Sequence, residues 1–131
     1  FVHDHIGYNY RMPNINAALG CAQMENLDKY VSNKRETAER YREFFSRIPD
    51  VEFVVEPANS RSNYWLNAVL LKDRRAQQSF LEYTNDHGVM TRPVWELMNR
   101  LEMFRGCETD GWENTVWLEE RIVNIPSSVR L

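Results

Sequence analysis

The chain has 131 residues, 43% of them hydrophobic and 27% charged, and a formal net charge of −3. That is room for one folded domain that buries about two-thirds of its unfolded surface, and it is too apolar for a disordered tail. Basic residues are scattered and no apolar run nears the roughly 20 residues of a membrane span, so neither a nucleic-acid surface nor a membrane partner is indicated.

At the start, Phe1-Val2-His3-Asp4 is neither basic nor followed by an apolar stretch, so no secretory signal is read there. His3-Asp4-His5 supplies too few ligands for a metal centre and has no Cys or His group beside it, so no metal is expected. Pro13 suits the first turn of a helix, where its missing N–H costs nothing. Small residues follow at Ala17, Ala18, Gly20, Cys21 and Ala22, a surface that lets another backbone approach closely. Apolar residues then recur at Leu27, Tyr30, Val31, Ala38, Tyr41, Phe45 and Ile48, spaced for one buried helix face. The opposite face carries Asp28, Lys29, Lys34, Arg35, Glu36, Glu39, Arg40 and Glu43. The helical pattern runs from Asn14 to about Ile48, as one bent helix or as two.

Val51 to Val55 reads as a short strand, Ala58 to Ser62 as a turn, and Tyr64 to Leu71 as a strand apolar enough to lie centrally in a sheet. Asp73 caps a helix in which Ala76, Phe80, Tyr83 and Thr84 share a face, and Gly88 stops it. Val89 to Val94 makes a third strand, placed at an edge because it contains Pro93. A helical turn around Glu96 to Phe104, a loop, a helix near Trp112 to Val123 and an extended tail from Asn124 to Ser128 complete the chain. The order predicts an α+β fold, a small, mostly antiparallel sheet covered by helices on one side. Cys21 and Cys107 lack metal or redox spacing and are expected as two buried thiols of a reducing cytosol. Trp65, Trp112 and Trp117 fit core positions.

The run Ile6-Gly7-Tyr8-Asn9-Tyr10-Arg11-Met12-Pro13-Asn14-Ile15-Asn16-Ala17-Ala18-Leu19-Gly20 closely resembles the signature of the DegT/DnrJ/EryC1/StrS family of nucleotide-sugar aminotransferases, which use pyridoxal phosphate. In that family the signature lies about two-thirds of the way along the chain. The resemblance therefore implies that residues 1–131 are the C-terminal, small domain of a fold-type I aminotransferase, with the cofactor-binding N-terminal domain absent. It implies a homodimer in which the loop before the long helix reaches into the neighbour's site. There the residue matching Asn9 bonds the cofactor phosphate, and an amide suits that role because it donates without adding a charge to desolvate. Arg11 could give a bidentate contact to phosphate or carboxylate, and Tyr8 and Tyr10 could offer rings and hydroxyls to substrate. The plainer alternative is that Tyr10 and Arg11 pack a helix entry, with Arg11 paired to a local acid.

The segment His87-Gly88-Val89-Met90-Thr91-Arg92-Pro93-Val94-Trp95 is similar to a family segment at the substrate pocket. Many relatives carry Pro-x-His there. Pro93-Val94-Trp95 resembles instead the branch acting on UDP-linked 4-keto-6-deoxy-hexosamines of legionaminic-acid or bacillosamine type. Arg92 and Trp95 become substrate-binding candidates, a cation beside an indole, against an edge-strand Arg with Trp95 in the core.

A covalently held aldehyde cofactor needs a lysine, and the chain has only Lys29, Lys34 and Lys72. None sits in surroundings like the family's anchor, so no catalytic residue and no covalent attachment are expected here, and the fragment alone should be inactive. The function implied is a cytoplasmic parent enzyme that moves an amino group, with glutamate the expected donor, onto a nucleotide-linked keto-sugar for surface polysaccharide. A non-catalytic dimerisation module or a sensory relative is the alternative. A dehydrogenase fragment lacks support because no GxGxxG turn exists.

Overall fold

Pro13 precedes the first helix in an extended conformation, and its carbonyl accepts the Ala17 N–H at 3.0 Å. The computed structural model describes residues 2, 4–8 and 11–130. Two helices follow Pro13, α1 (Asn14–Met24) and α2 (Leu27–Phe45). The break falls at Glu25 and Asn26, five residues beyond Gly20, where the Asn26 side chain donates back to the Ala22 carbonyl at 3.3 Å. An Asn that bonds its own backbone competes with helix continuation, so the division lies at Asn26 rather than at the glycine.

Helix α2 buries Thr37, Ala38 and Phe45, with Tyr41 and Ile48 packed alongside, in agreement with the periodic apolar face. Exposed pairs on its other side, Glu36 with Arg40 at 2.5 Å and Glu43 with Arg47 at 2.6 Å, add about 0.2–0.5 kcal/mol each. Lys34 and Arg35 depart from the expected solvent face. Both are half-buried and reach other segments of the chain.

The sheet has strands β1 (Val51–Phe53), β2 (Asn67–Leu71), β3 (Arg92–Pro93) and β4 (Ile122–Ile125), in spatial order β1-β2-β4-β3 and antiparallel throughout. The central place expected for the second strand and the edge place expected for the one containing Pro93 are both found. The fourth strand corrects the sequence reading. Ile122 and Val123 do not continue a helix, and Asn124 and Ile125 are not tail. Helix α4 (Glu113–Glu119) ends early, and the next four residues pair with β2 on one side and β3 on the other. Their burial alternates, Val123 and Ile125 inward, as β-branched residues on a half-buried pleat require. Two 3-10 turns, Met98–Arg100 and Glu102–Phe104, replace the predicted helical turn.

One face of the sheet carries Phe53, Val69, Leu71, Val123 and Ile125 into the core, against Ala38 and Phe45 of α2. Helix α3 (Arg74–Asp86) adds Ala76, Phe80 and Leu81 to the same core. Asp73 caps α3 as expected, accepting the Ala76 N–H at 2.8 Å, and Gly88 ends it at φ +74°, a conformation that glycine adopts without strain. Tyr83 points outward, and the buried polar position is Gln77. Its amide donates to the Glu119 and Ile122 carbonyls at 2.7 and 2.9 Å, tying α3 to the turn between α4 and β4.

Five core expectations fail. Cys21 and Cys107 are exposed free thiols, the first because α1 has no buried residue at all. Trp65 and Trp117 are exposed and Trp112 is only half-buried. Among the described residues no helix is long and apolar enough to cross a membrane.

The core and α1 should respond differently to truncation. Phe53→Ala is expected to lower the unfolding free energy by about 3–5 kcal/mol in urea titrations, because it opens a cavity under the sheet. Leu19→Ala on α1, where Leu19 is 61% exposed, should change it by no more than about 0.5 kcal/mol.

Candidate functional site

Two adjacent side chains of α2 organise the segments around a groove at one end of the sheet. Arg35 forms a bidentate pair with Glu56, Nη2 to Oε1 at 2.7 Å and Nη1 to Oε2 at 2.9 Å, and Nη1 also donates to the Ser62 carbonyl at 2.7 Å. The Ser62 N–H donates back to Glu56 Oε2 at 2.6 Å. Hydrogen bonding from Arg35, then from the Ser62 backbone, pulls the Glu56 carboxyl down from 4.5 to about 2, and the same pairing raises Arg35. Lys34 turns the other way. Its Nζ donates to the Ser127 carbonyl at 2.6 Å and to the Trp65 carbonyl at 3.3 Å. Ser127 Oγ accepts the Asn67 N–H at 2.7 Å, so the residue that opens β2 and the segment after β4 are joined at one point. Asn67 is 1% exposed.

The other wall comes from the turn between α3 and β3. Thr91 is buried and its hydroxyl lies 2.6 Å from that of Thr84, while Asn85 Nδ2 donates to the Thr91 carbonyl and hydroxyl at 3.1 and 3.0 Å. This knot fixes the residue before Arg92. Register then pairs Arg92 with Asn124 and Asn124 with Ala68, so Arg92, Asn124 and Ala68 share the sheet face opposite the core. Asn124 Nδ2 donates to the Pro93 carbonyl at 3.4 Å, and Arg92 Nη2 lies 3.2 Å from the Met90 sulfur.

Between these walls lies a groove of about 490 Å³, within the ordinary range of small-molecule sites. Lys34, Trp65, Arg92, Asn124, Ser127 and Ser128 are among its lining residues. Its donors suit an anionic, hydrogen-bonding ligand, and the Trp65 indole gives it one broad apolar face.

Of the residues singled out from sequence, Arg92 lies in this groove and Trp95 is not among its lining residues. Trp95 is 52% exposed, which removes the alternative of a core indole. Tyr8 and Arg11 are exposed, and among the described residues Arg11 makes no ion pair, so the proposed local acid partner is not found. Asn9 and Tyr10 lie outside the described residues, as does His3 of the His-Asp-His run. His5 sits 3.0 Å from Asp4 in an exposed pair, and among the described residues no group of three or more His, Cys, Asp or Glu could hold a metal. Sequence reasoning missed Trp65 and Lys34. The Asn63-Tyr64-Trp65 run after a turn was the available signal for the first. The second depends on β4, which was not read as a strand.

Residues 1–131 match the DegT/DnrJ/EryC1/StrS aminotransferase family over their whole length. The chain belongs to this family. It is 34% identical over 132 residues to a GDP-perosamine synthase of Escherichia coli O157:H7, covering 95% of this chain and 34% of that protein. In fold it is similar to PseC of Helicobacter pylori, an aminotransferase of pseudaminic-acid biosynthesis, at TM-score 0.80 and 17% identity, over 95% of this chain and 34% of that one. It is also similar to the E. coli GDP-4-keto-6-deoxy-D-mannose-3-dehydratase, solved with bound hydrated PLP, at TM-score 0.68 and 18% identity, over 93% and 33%. The chain thus spans about a third of the length of the curated relatives it matches. Family membership and the α+β aminotransferase-domain fold expected from the signature both hold.

The lysines of this chain do not fit a covalent cofactor anchor. Lys29 and Lys72 are exposed, and Lys34 is committed to two carbonyls.

The Arg35–Glu56 pair has a pH signature. A lowered carboxyl stabilises the fold fully above its unfolded value and loses that contribution as pH falls through the folded value. Denaturation of wild type and Glu56→Gln should therefore show the wild type ahead at pH 7. The gap should close as pH drops from 4.5 toward about 2.

Proposed function

We propose that residues 1–131 form the C-terminal domain of a longer, homodimeric, pyridoxal-phosphate-dependent aminotransferase. This enzyme aminates a nucleotide-linked 4-keto-6-deoxy sugar in the cytoplasm, with an amino acid such as glutamate as donor, for a surface polysaccharide. The observation that carries the reading is the family match over the whole chain, joined to the 34% identity with a protein named GDP-perosamine synthase. That name favours a GDP-linked sugar over the UDP-linked, legionaminic-type substrate suggested by Pro93-Val94-Trp95. The exposed cation Arg92 and the polar groove beside it supply what an anionic sugar nucleotide needs.

The cofactor, when bound, supplies an aldehyde that accepts the donor's amino group and passes it to the keto-sugar. The covalent anchor lies outside this chain. Within it, the Asn9 amide would donate to the cofactor phosphate, and Arg11 would offer a charged contact to phosphate or carboxylate. Tyr8 and Tyr10 would offer rings and hydroxyls to substrate, Arg92 would hold the substrate's phosphates, and Trp95 would offer an indole face. The work of this domain is binding and orientation rather than bond-making.

A second reading, an interaction module without catalysis, is favoured by one observation. Helix α1 buries no side chain, and Ile15 is 83% exposed.

The decisive measurement supplies the complete protein with pyridoxal phosphate, glutamate and a GDP-linked 4-keto-6-deoxy-hexose, and follows the amino-sugar product by mass spectrometry. Product is expected, and its absence with every nucleotide-linked keto-sugar tried favours the interaction module. Asn9→Ala should weaken cofactor retention about tenfold or more, the worth of a hydrogen bond to a charged group. Unchanged retention removes the phosphate role of Asn9.

A further inference from the structure

We propose that Trp65 is the stacking platform for the base of a nucleoside diphosphate whose phosphates meet Arg92 across the same groove. The inference rests on the nucleotide-sugar reading above and adds the element that would recognise the nucleotide.

Trp65 is 66% exposed, and among the described residues no ring or guanidinium lies against it. An exposed indole on a loose loop would mean little, but this one is held. The residue before it, Tyr64, has φ +47°, a left-handed backbone that a bulky aromatic rarely adopts.

Several contacts hold Tyr64 there. Its ring stacks on Phe53 of the core at 6.3 Å between centroids. The Arg35 guanidinium lies 5.6 Å from the same ring. Its hydroxyl accepts the Glu56 N–H at 3.2 Å, and its own N–H donates to Ser62 Oγ at 2.9 Å. On the far side, the Trp65 N–H donates to Asn63 Oδ1 at 2.9 Å and its carbonyl accepts Lys34. The backbone is thus fixed before and after the indole while the indole itself stays open to the groove. That arrangement suits a rigid aromatic surface kept ready for a ligand better than an accident of packing.

The opposite wall decides which flat ligand. Arg92 offers a permanently charged fork for phosphate, and Asn124, Ser127 and Ser128 add neutral polar groups. An aromatic face and a cation on one groove match a base joined to phosphates. Arg92 and Trp65 both line this groove, whereas Trp95, the indole singled out from sequence, is not among its lining residues.

The test measures binding to the complete protein by calorimetry, with GDP, UDP, inorganic pyrophosphate and a hexose 1-phosphate as probes. Wild type should bind a nucleoside diphosphate more tightly than pyrophosphate. Trp65→Leu should weaken the nucleoside diphosphate about tenfold or more, within the range of base–aromatic stacking, and leave pyrophosphate unchanged. Trp65→Phe should restore most of the loss. The proposal is overturned if Trp65→Leu binds the nucleoside diphosphate as wild type does, if it loses pyrophosphate equally, or if only hexose 1-phosphate responds. It is overturned as well if the complete protein shows no preference for a nucleoside diphosphate. Amination that proceeds without dependence on Trp65 defeats this inference alone. Trp65-dependent nucleotide binding without amination defeats the proposed reaction alone.

Discussion

The structure outside the core depends on one constraint, the divergence of Lys34 and Arg35 from neighbouring positions on α2. Adjacent residues of a helix point about 100° apart, so a single rigid rod can reach two segments at once. Arg35 takes the loop after β1 through Glu56 and Ser62, and Lys34 takes the start of β2 and the segment after β4 through Trp65 and Ser127. The rod is immobilised by Ala38 and Phe45 in the core, three and ten residues further along. The groove's walls therefore inherit the rigidity of a packed interior, although the groove itself is at the surface.

This matters because the loop from Glu56 to Leu66 has no regular secondary structure to satisfy its backbone. Its polar groups are met one by one. The N–H groups of Glu56, Ser62, Tyr64 and Trp65 each find a side-chain acceptor, and the carbonyls of Ser62 and Trp65 each find a cation. Such a network resists change because losing one partner leaves another group half-buried without a bond. The left-handed Tyr64 can persist only inside it.

Much of this was legible in the sequence, and the failures have a common physical origin. The long apolar stripe, the Asp73 cap, the Gly88 stop, the central second strand and the edge strand with Pro93 follow from local rules of periodicity and backbone chemistry. So did the family, because the Gly7-to-Gly20 run is a specific string. What escaped required a partner far away in sequence. Ile122 to Ile125 is four residues long, and its identity as a strand comes from β2 and β3 lying either side of it. Lys34 and Arg35 sat at solvent-facing positions of a helical pattern, which cannot register acceptors 31, 93 or 21 residues distant. Trp65 read as core because apolar residues in a strand usually are. The strand begins two residues later, so the alternation that would have buried it never applied.

The two ends of the long helical region also answer to different demands. Helix α2 has its own reason to fold, since its apolar face closes the core. Helix α1 has none of that kind. Eleven residues with no buried side chain are marginal as an isolated helix in water, and Gly20 weakens them further. Yet the small residues there are poor choices for solubility and good ones for close approach of another backbone. A stretch so composed, overlapping the end of the aminotransferase signature and separated from α2 by the self-bonding Asn26, takes none of its position from burial against the sheet. The sheet, packed with α2 and α3, forms the scaffold that shapes the Trp65–Arg92 groove. Beside it stands α1, whose exposed small residues suit the close approach of another backbone.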